Sequence, residues 1–325
     1  MNLPGVILLS AIVIFFAMNM GASGVAPAFA ASWGGSLIKK KQLLLLFGVF
    51  VILGAVILGK NVSLTLGGNL VPKGVIDFNV ALIILFSAAL SLFLANLLKI
   101  PQSTSQVTVG AIAGAGLFFQ HLELKALFVR IIPMWIILPL ASYGLTLFIF
   151  KSVYPPRQGN LHIYQKLFAN HRKIKLSSLV SSCYVAFAIG SNNVANAVGP
   201  LHGAGLINIG SGLLLIAPLF ALGASLLGAG NLETAGKEIV PLGLVSGTLV
   251  SFVTATLLIF ASLLGVPQSL VQLNIASIFA VSCLKDGHRY TWDRSITQRT
   301  FFVWAITPVI SCGAAYFLLQ LFIKR

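Results

Sequence analysis

Long uncharged apolar segments alternate along this chain with short charged connections. No Asp, Glu, Lys or Arg occurs before Lys39, between Asp77 and Lys99, or between Glu238 and Lys285. A run of about 20 apolar residues is long enough to cross a bilayer as a helix. The alternation typical of a transmembrane barrel is absent, so we expect every span to be helical. In the first half the predicted helices cover about 3–37, 42–59, 77–98, 104–120 and 131–150, the first with a break near 19–27.

Two copies of one unit become visible when the sequence is compared with itself at the offset that places Gly54 on Gly223. One offset that holds across separated clusters indicates a duplication. Between these clusters the match continues at a slightly smaller offset, so the second copy has lost three residues there. The matched pairs are Gly54-Ala55 with Gly223-Ala224, Val71-Pro72 with Val240-Pro241, Trp135 with Trp304, Pro139 with Pro308, and, at the smaller offset, Pro101-Gln102-Ser103 with Pro267-Gln268-Ser269.

The basic residues predict that the two copies have opposite orientations. Lys39 to Lys41 mark one cytoplasmic loop, whereas the matching position 207–210 carries no charge. Lys285 and Arg289 mark another, and its counterpart in the first copy is weaker. This bias favours an all-α polytopic membrane protein of two inverted-topology repeats with broken helices and re-entrant hairpins. We expect repeat one at 1–150, a basic cytoplasmic linker at 151–175 and repeat two at 176–325.

Composition narrows the class. The chain has 325 residues, 58% hydrophobic and 8% charged, and the mean hydropathy is +0.98. These values predict a multi-pass protein of the cell (inner) membrane, with the lipid bilayer as its surroundings. The net charge of +15 lies in loops and forms no stripe with interleaved aromatics, so we expect no nucleic-acid partner. The three cysteines and five histidines show no ligand spacing, and we expect no metal or cofactor.

An amide-rich stretch, residues 189–200, stands inside an apolar run of the second copy. Asn192, Asn193 and Asn196 bring six amide N–H donors into a segment that is long enough to span a bilayer. Burying such groups in lipid costs several kcal/mol each, unless they line a cavity or bind a solute. The alternative is that they join helices to one another. The partner of this stretch in the first copy is 18–31, where the offset of the repeat places Asn19 opposite Ala188 and Ser23 opposite Asn192.

A second matched pair of polar segments consists of PQSTSQ at 101–106 and PQSLVQ at 267–272. In each segment the proline ends the preceding helix, and the serine after it can cap the next one. Hydroxyls and free backbone N–H groups at a helix start form a natural anion site. The alternative is a plain capped turn between two helices. Interrupted helices at matching positions of two repeats are typical of a transporter's central site.

These residues resemble those of the inorganic phosphate transporter family. GSNNVANAVGP is similar to the signature of that family, which reads roughly GANDVANAFGT and GSNDVANAIGP in its two copies, and PQSTSQ is similar to its PVSTTH. The resemblance implies a secondary transporter that works by alternating access, and relatives suggest a homodimer. The substrate-binding residues that it implies are Ser103, Thr104, Ser105, Gln106, Ser269 and Gln272 in the hairpins, completed by Asn19, Ser23, Asn192, Asn193 and Asn196.

Departures from the family pattern bear on the substrate. Gly24 and Asn193 stand where the family has Asp, and Val51 and Phe220 replace its Glu. Phosphate keeps a proton near neutral pH, so its site benefits from a carboxylate acceptor, whereas sulfate only accepts hydrogen bonds. The chain therefore resembles the sulfate permease branch, and we expect sulfate or a related oxyanion to be imported. Phosphate transport and an uncoupled oxyanion channel are the alternatives. No constellation typical of an enzyme is present.

Import of a dianion against an interior-negative potential of 100 mV costs about 4.6 kcal/mol, at about 2.3 kcal/mol per charge. We therefore expect a co-transported ion, with the proton as the first candidate and sodium, held by carbonyls and amides, as the second. Glu233 is the candidate residue for binding that ion. Its alternative role is that of an interfacial loop residue near Lys237.

Overall fold

A computed structural model describes residues 3–35, 37–72, 74–97, 102–228, 243–293 and 295–323, and these ranges are helical without strands. The helices of the first half are α1 (Leu3–Gly34), α2 (Lys40–Leu58), α3 (Lys60–Leu64), α4 (Phe78–Leu97), α5 (Thr104–Phe118) and α6 (Ile132–Val153). Then follow α7 (Leu161–Ala169), α8 (His171–Asn193), α9 (Ala195–Gly203), α10 (Ile209–Leu227), α11 (Leu244–Leu263), α12 (Leu270–Lys285), α13 (His288–Asp293) and α14 (Ser295–Phe322). Two π-helical segments, Thr65–Asn69 and Ala126–Ile131, extend α3 and precede α6.

Eight helices in the described ranges are long and apolar enough to cross a membrane. The protein is a multi-pass membrane protein, as the sequence predicts. Helix α5 has 15 residues and α12 has 16. At 1.5 Å per residue each measures about 23 Å, which is shorter than the hydrocarbon core of about 30 Å. The prediction that the segment at 104–120 forms a full span is therefore wrong, and the length fits one arm of a re-entrant hairpin.

The predicted break near 19–27 is also wrong, because α1 continues through this region with Pro27 inside it. The polar side chains in this part of α1 bond to their own helix. Asn19 Nδ2 donates to the carbonyl of Phe15 at 2.8 Å, and Ser23 Oγ donates to that of Met20 at 3.0 Å. Since these polar groups find partners one turn back, the helix need not unwind to satisfy them. A proline inside a helix can kink it without ending it.

The matching segment of the second half shows an interruption of a single residue. Helix α8 ends at Asn193 and α9 begins at Ala195, so that Val194 alone separates them. Val194 keeps helical dihedral angles, with φ −62° and ψ −32°. Helix α8 begins at His171, inside the segment predicted as linker, and α7 lies in the same segment. The domain boundaries stay a prediction.

The two halves exchange their packing partners reciprocally. Helix α1 packs on α10 of the second half, and α2 packs on α8. In the same way α5 packs on α14, and α12 packs on α6. Helices α1 and α2 correspond in sequence to α8 and α10, so the contact of α2 with α8 repeats that of α1 with α10 with the halves exchanged. Helices α5 and α6 correspond to α12 and α14, and their two contacts are related in the same way. Two copies related by a pseudo-two-fold axis would show this pattern, while their inverted orientation in the membrane stays a prediction.

Glycines permit the closest of these approaches. A Cβ atom on Gly54 of α2 would overlap the carbonyl oxygen of Phe187 in α8. A Cβ atom on Gly223 of α10 would overlap the carbonyl oxygen of Met18 in α1. Gly223 is the repeat counterpart of Gly54, and Phe187 is that of Met18, so the same contact is made twice. The backbones touch here because neither glycine carries a side chain.

Candidate functional site

Helix α5 begins with a capped, buried turn. Ser103 precedes the helix, and its Oγ accepts a hydrogen bond from the backbone N–H of Gln106 at 3.1 Å. A hydroxyl that accepts in this way keeps its own hydrogen as a donor. The backbone N–H groups of Thr104 and Ser105 precede the first helical hydrogen bond, which runs from Val107 to Ser103. The helix start therefore offers hydroxyl and amide donors at the positive end of the helix dipole.

Helix α12 begins in the same way. Ser269 Oγ accepts from the backbone N–H of Gln272 at 3.2 Å, and the N–H groups of Leu270 and Val271 precede the first helical bond. Ser269 and Gln272 are both buried. The capping predicted for both segments is confirmed, and the plain capped turn is part of what the structure shows. Leu270 and Val271 replace two hydroxyl residues of the first copy, so this start has fewer side-chain donors.

The structure brings the start of α5 together with α9 and with the segment that leads into α12. Asn196 Nδ2 lies 3.4 Å from Thr104 Oγ1 and 3.3 Å from Ser105 Oγ. Ser105 Oγ in turn donates to the carbonyl of Gln268 at 3.0 Å. Residues from both halves thus meet at one buried place, as the sequence predicts for Thr104, Ser105 and Asn196. We call these three segments, 102–106, 193–196 and 268–272, the polar cradle.

Asn192 lies beside the cradle and holds it in place. Its Nδ2 donates to Ser262 Oγ and to the carbonyl of Val266, both at 3.0 Å. Its Oδ1 accepts from the backbone N–H of Gln268 at 2.9 Å. Both amide hydrogens and the oxygen of this fully buried side chain are therefore engaged within the protein. For Asn192 the structure shows the alternative role, joining elements to one another.

Two of the other predicted site residues, Asn19 and Ser23, lie outside the cradle. Asn19 and Ser23 lie in α1 and donate to carbonyls of that helix. Glu233, the candidate for the coupling ion, lies outside the described residues. Asn193 is buried at the end of α8, beside Asn192.

Several amide groups of the cradle have no partner within the described part of the chain. Buried polar atoms are nearly always hydrogen bonded, so such a cluster needs a reason. Sequence reasoning missed two of the residues, Gln102 and Gln268, although they stand at matched positions. In the cradle, the buried side-chain atoms without a partner among the described residues are Oε1 of Gln102, Gln106, Gln268 and Gln272, Nε2 of Gln268, and Oδ1 of Asn193 and Asn196.

No charged side chain is buried in the described ranges, where every buried polar side chain belongs to Asn, Gln, Ser or Thr. The four carboxylates in these ranges are exposed. Asp77 caps α4 by accepting from the N–H of Val80 at 2.9 Å, and Asp293 lies 3.8 Å from Arg289. A small polar solute in the cradle would therefore meet neutral donors and acceptors.

Residues 20–315 match the phosphate transporter family. The sulfate permease CysP of Bacillus subtilis (strain 168) is 39% identical over 312 residues, which cover 96% of this chain and 86% of that protein. The chain belongs to the phosphate transporter family. The resemblance of its two signature segments to this family is thereby confirmed.

Other members of the phosphate transporter family are more distant. The putative phosphate permease MJ0630 of Methanocaldococcus jannaschii is 26% identical over 292 residues, or 90% of this chain and 89% of that protein. The solved structure of a protein titled the sodium-dependent phosphate transporter superposes with a TM-score of 0.82 at 24% identity. The match covers 99% of this chain and 100% of the solved chain. The all-helical fold seen here is therefore that of a solved structure.

Proposed function

We propose that this protein is a secondary active transporter that imports sulfate by alternating access. One observation carries the proposal. The cradle is buried and consists of two helix starts, one from each half, and the junction between α8 and α9. None of its residues carries a carboxylate. Membership of the phosphate transporter family and the similarity to a protein named sulfate permease support oxyanion transport.

The chemistry of the cradle favours sulfate over phosphate. Sulfate is fully deprotonated near neutral pH and accepts hydrogen bonds only, so amide and hydroxyl donors match it. Hydrogen phosphate also donates through its P–OH group, and a buried carboxylate would accept that bond most strongly. The same carboxylate would repel sulfate. Phosphate import is the second candidate, favoured by several relatives that are named putative phosphate permeases.

Alternating access requires two states of similar energy that open the site to opposite sides. The reciprocal packing of α5 on α14 and of α12 on α6 supports such a pair of states, because each half can adopt the arrangement of the other. The proposal places repeat one at 1–150 and repeat two at 176–325, joined on the cytoplasmic side by the basic segment 151–175. The homodimer implied by the family resemblance is part of the same proposal.

The unpaired hydrogen-bond acceptors of the cradle bear on the identity of the coupling ion. Six carboxamide oxygens are buried without a donor partner among the described residues. Sulfate cannot satisfy them, because it has no hydrogen to donate. Sodium bound among them would supply a partner, since hard cations prefer neutral and anionic oxygen ligands. No carboxylate in the described interior could carry a proton, which favours sodium, while Glu233 stays the candidate if protons are the coupling ion.

Uptake of labelled sulfate into proteoliposomes tests the function. We expect saturable uptake that an inward sodium gradient drives above the electrochemical limit for sulfate alone. An uncoupled channel would equilibrate sulfate at that limit and would contradict the transporter. Uptake that follows a pH gradient without sodium would assign the coupling to protons. Competition by phosphate at concentrations near the sulfate KM would contradict the choice of sulfate and leave oxyanion transport in place.

A further inference from the structure

The backbone of residues 266–268, which leads into α12, is fully hydrogen bonded. The N–H of Val266 donates to the carbonyl of Ala261 in α11 at 2.8 Å, and the carbonyl of Val266 accepts from Asn192 Nδ2. The carbonyl of Pro267 accepts from Trp135 Nε1 at 2.8 Å. The N–H and carbonyl of Gln268 bond to Asn192 and Ser105 at 2.9 Å and 3.0 Å. Contacts from α5, α6 and α8 thus hold this segment on several sides.

The side chain of Gln268 contrasts with this backbone. It is fully buried, yet neither Oε1 nor Nε2 has a hydrogen-bond partner among the described residues. An unpaired buried carboxamide destabilises the folded protein, and an apolar side chain of similar size would not carry this penalty. The amide therefore does not stabilise the fold at this position, and a solute that binds beside it would explain why an amide is present.

We infer that Gln268 is a substrate-binding residue that makes the site selective for an acceptor-only oxyanion, the class to which sulfate belongs. This inference rests on the proposed function. Nε2 donates to an oxygen of the substrate, beside the N–H groups and the hydroxyl at the start of α12. The carbonyl oxygen Oε1 belongs to the set of acceptors assigned above to the coupling ion. Because both backbone groups of Gln268 are hydrogen bonded and its side chain is fully buried, the amide has little freedom to move before the substrate arrives.

Gln102 is the counterpart of Gln268 in the first half. It precedes Ser103 as Gln268 precedes Ser269, it is buried, and its Oε1 also lacks a partner among the described residues. Within the described ranges both polar atoms of the Gln268 side chain are buried without a partner, whereas for Gln102 this holds for Oε1. We therefore expect Gln268 to contribute more to selectivity than Gln102 does.

Two substitutions at Gln268 test the inference. Gln268→Met keeps the approximate size of the side chain and removes both polar atoms. It should raise the KM for sulfate about 10-fold, the effect of one lost hydrogen bond to a charged ligand. It should leave the thermal midpoint of the substrate-free protein unchanged or raise it. Gln268→Glu replaces the donor by an acceptor and should raise the sulfate KM about 100-fold, while phosphate becomes a stronger competitor than it is in the wild type. Gln165→Met, at an exposed glutamine of α7, is the control for both measurements.

The outcomes separate the inference from the proposed function. If the wild type takes up no sulfate, the proposed function fails. If the wild type takes up sulfate and Gln268→Met leaves its KM within about twofold, a change too small for a lost hydrogen bond, the inference alone fails. A lower thermal midpoint of Gln268→Met without substrate would show a structural role and would also overturn the inference. A larger loss of phosphate than of sulfate recognition in Gln268→Met would assign the amide to a protonated oxyanion and contradict the stated selectivity.

Discussion

The hydroxyl of Ser142 in α6 donates a hydrogen bond to the carbonyl oxygen of Leu273 in α12 at 2.8 Å. Ser311 in α14 makes the same bond to the carbonyl of Val107 in α5, at 2.7 Å. Ser311 is the repeat counterpart of Ser142, and Leu273 is the counterpart of Val107 at the smaller local offset. Each short helix of the cradle is therefore fastened, at its fourth residue, to the last long helix of the opposite half.

Removing these hydroxyls should loosen the cradle. We expect Ser142→Ala and Ser311→Ala to lower the free energy of unfolding by about 0.5–2 kcal/mol each. Ser142→Ala should lower the free energy of unfolding more than Ser311→Ala does, because Ser142 also bonds to Ser277 Oγ at 2.7 Å. Thermal unfolding of the purified protein in detergent measures the effect. Ser152→Ala is the control, since the exposed hydroxyl of Ser152 bonds to the carbonyl of Ile149 in its own helix. Equal midpoints for all three variants would contradict the prediction.

The glycines at the backbone contacts should tolerate no side chain. Gly54→Ala and Gly223→Ala place a methyl group on a carbonyl oxygen of a neighbouring helix, so we expect each to cost about 3 kcal/mol or more. Little folded protein should reach the membrane. Gly144→Ala and Gly313→Ala are matched controls, because no atom lies within 4 Å of the added carbon and these residues are also repeat counterparts. The controls should express as the wild type does, and comparison by fluorescence-detected size exclusion chromatography measures this.

Substitution of Asn192 should affect the stability of the protein, whereas substitution of Asn196 should affect sulfate binding. Asn192→Ala removes three hydrogen bonds and leaves buried backbone groups unpaired, so we expect a loss of about 2–4 kcal/mol in stability. Asn196→Ala removes the long contacts to Thr104 and Ser105 and should change stability little. Its effect should appear as a higher KM for sulfate. Thermal midpoints and uptake kinetics measured on both variants test this, and the reverse pattern would exchange the two roles.

A carboxylate introduced into the cradle should impair sulfate transport. Asn193→Asp preserves the shape of a buried cradle side chain whose Oδ1 has no partner among the described residues, and adds a negative charge there. Like charges brought together away from water cost several kcal/mol, so the sulfate KM should rise at least about 10-fold. Asn208→Asp adds the same charge at the exposed start of α10, where the helix dipole accommodates it. Sulfate uptake by the Asn193→Asp variant at the rate of the Asn208→Asp control would contradict a substrate site at the cradle that requires neutral side chains.

The sequence predicted the membrane helices of the first half well, because long uncharged apolar runs allow little else in a bilayer. It failed on the break near 19–27. A polar residue inside a span signals either an unwound backbone or a hydrogen bond to the preceding turn, and the residue types are the same in both cases. Asn19 and Ser23 both donate a hydrogen bond to the preceding turn. The amide-rich segment at 189–200 has the predicted interruption at Val194.

The candidate site could be predicted only in part. Repetition and turn chemistry pointed to Ser103 and Ser269 as caps, because a serine after a proline at a helix start has few other uses. The roles of Asn192 and Gln268 could not be read from residue type. One amide has every polar atom paired within the protein, and the other has neither side-chain atom paired among the described residues. That difference depends on which segments lie beside each residue in space.

The order of apolar and polar residues by itself determined that this chain lies in a membrane, that it is helical, and that its polar interior segments are neutral, and it predicted two repeats from residues that match at nearly one offset. These properties depend on composition and spacing, which are local. Tertiary structure alone decided which helices of the two halves pack on one another, which buried amides are paired within the described part of the chain, and which remain available to a solute. Pairing between residues that are far apart in the chain depends on how the helices pack, and no local pattern in the sequence records it.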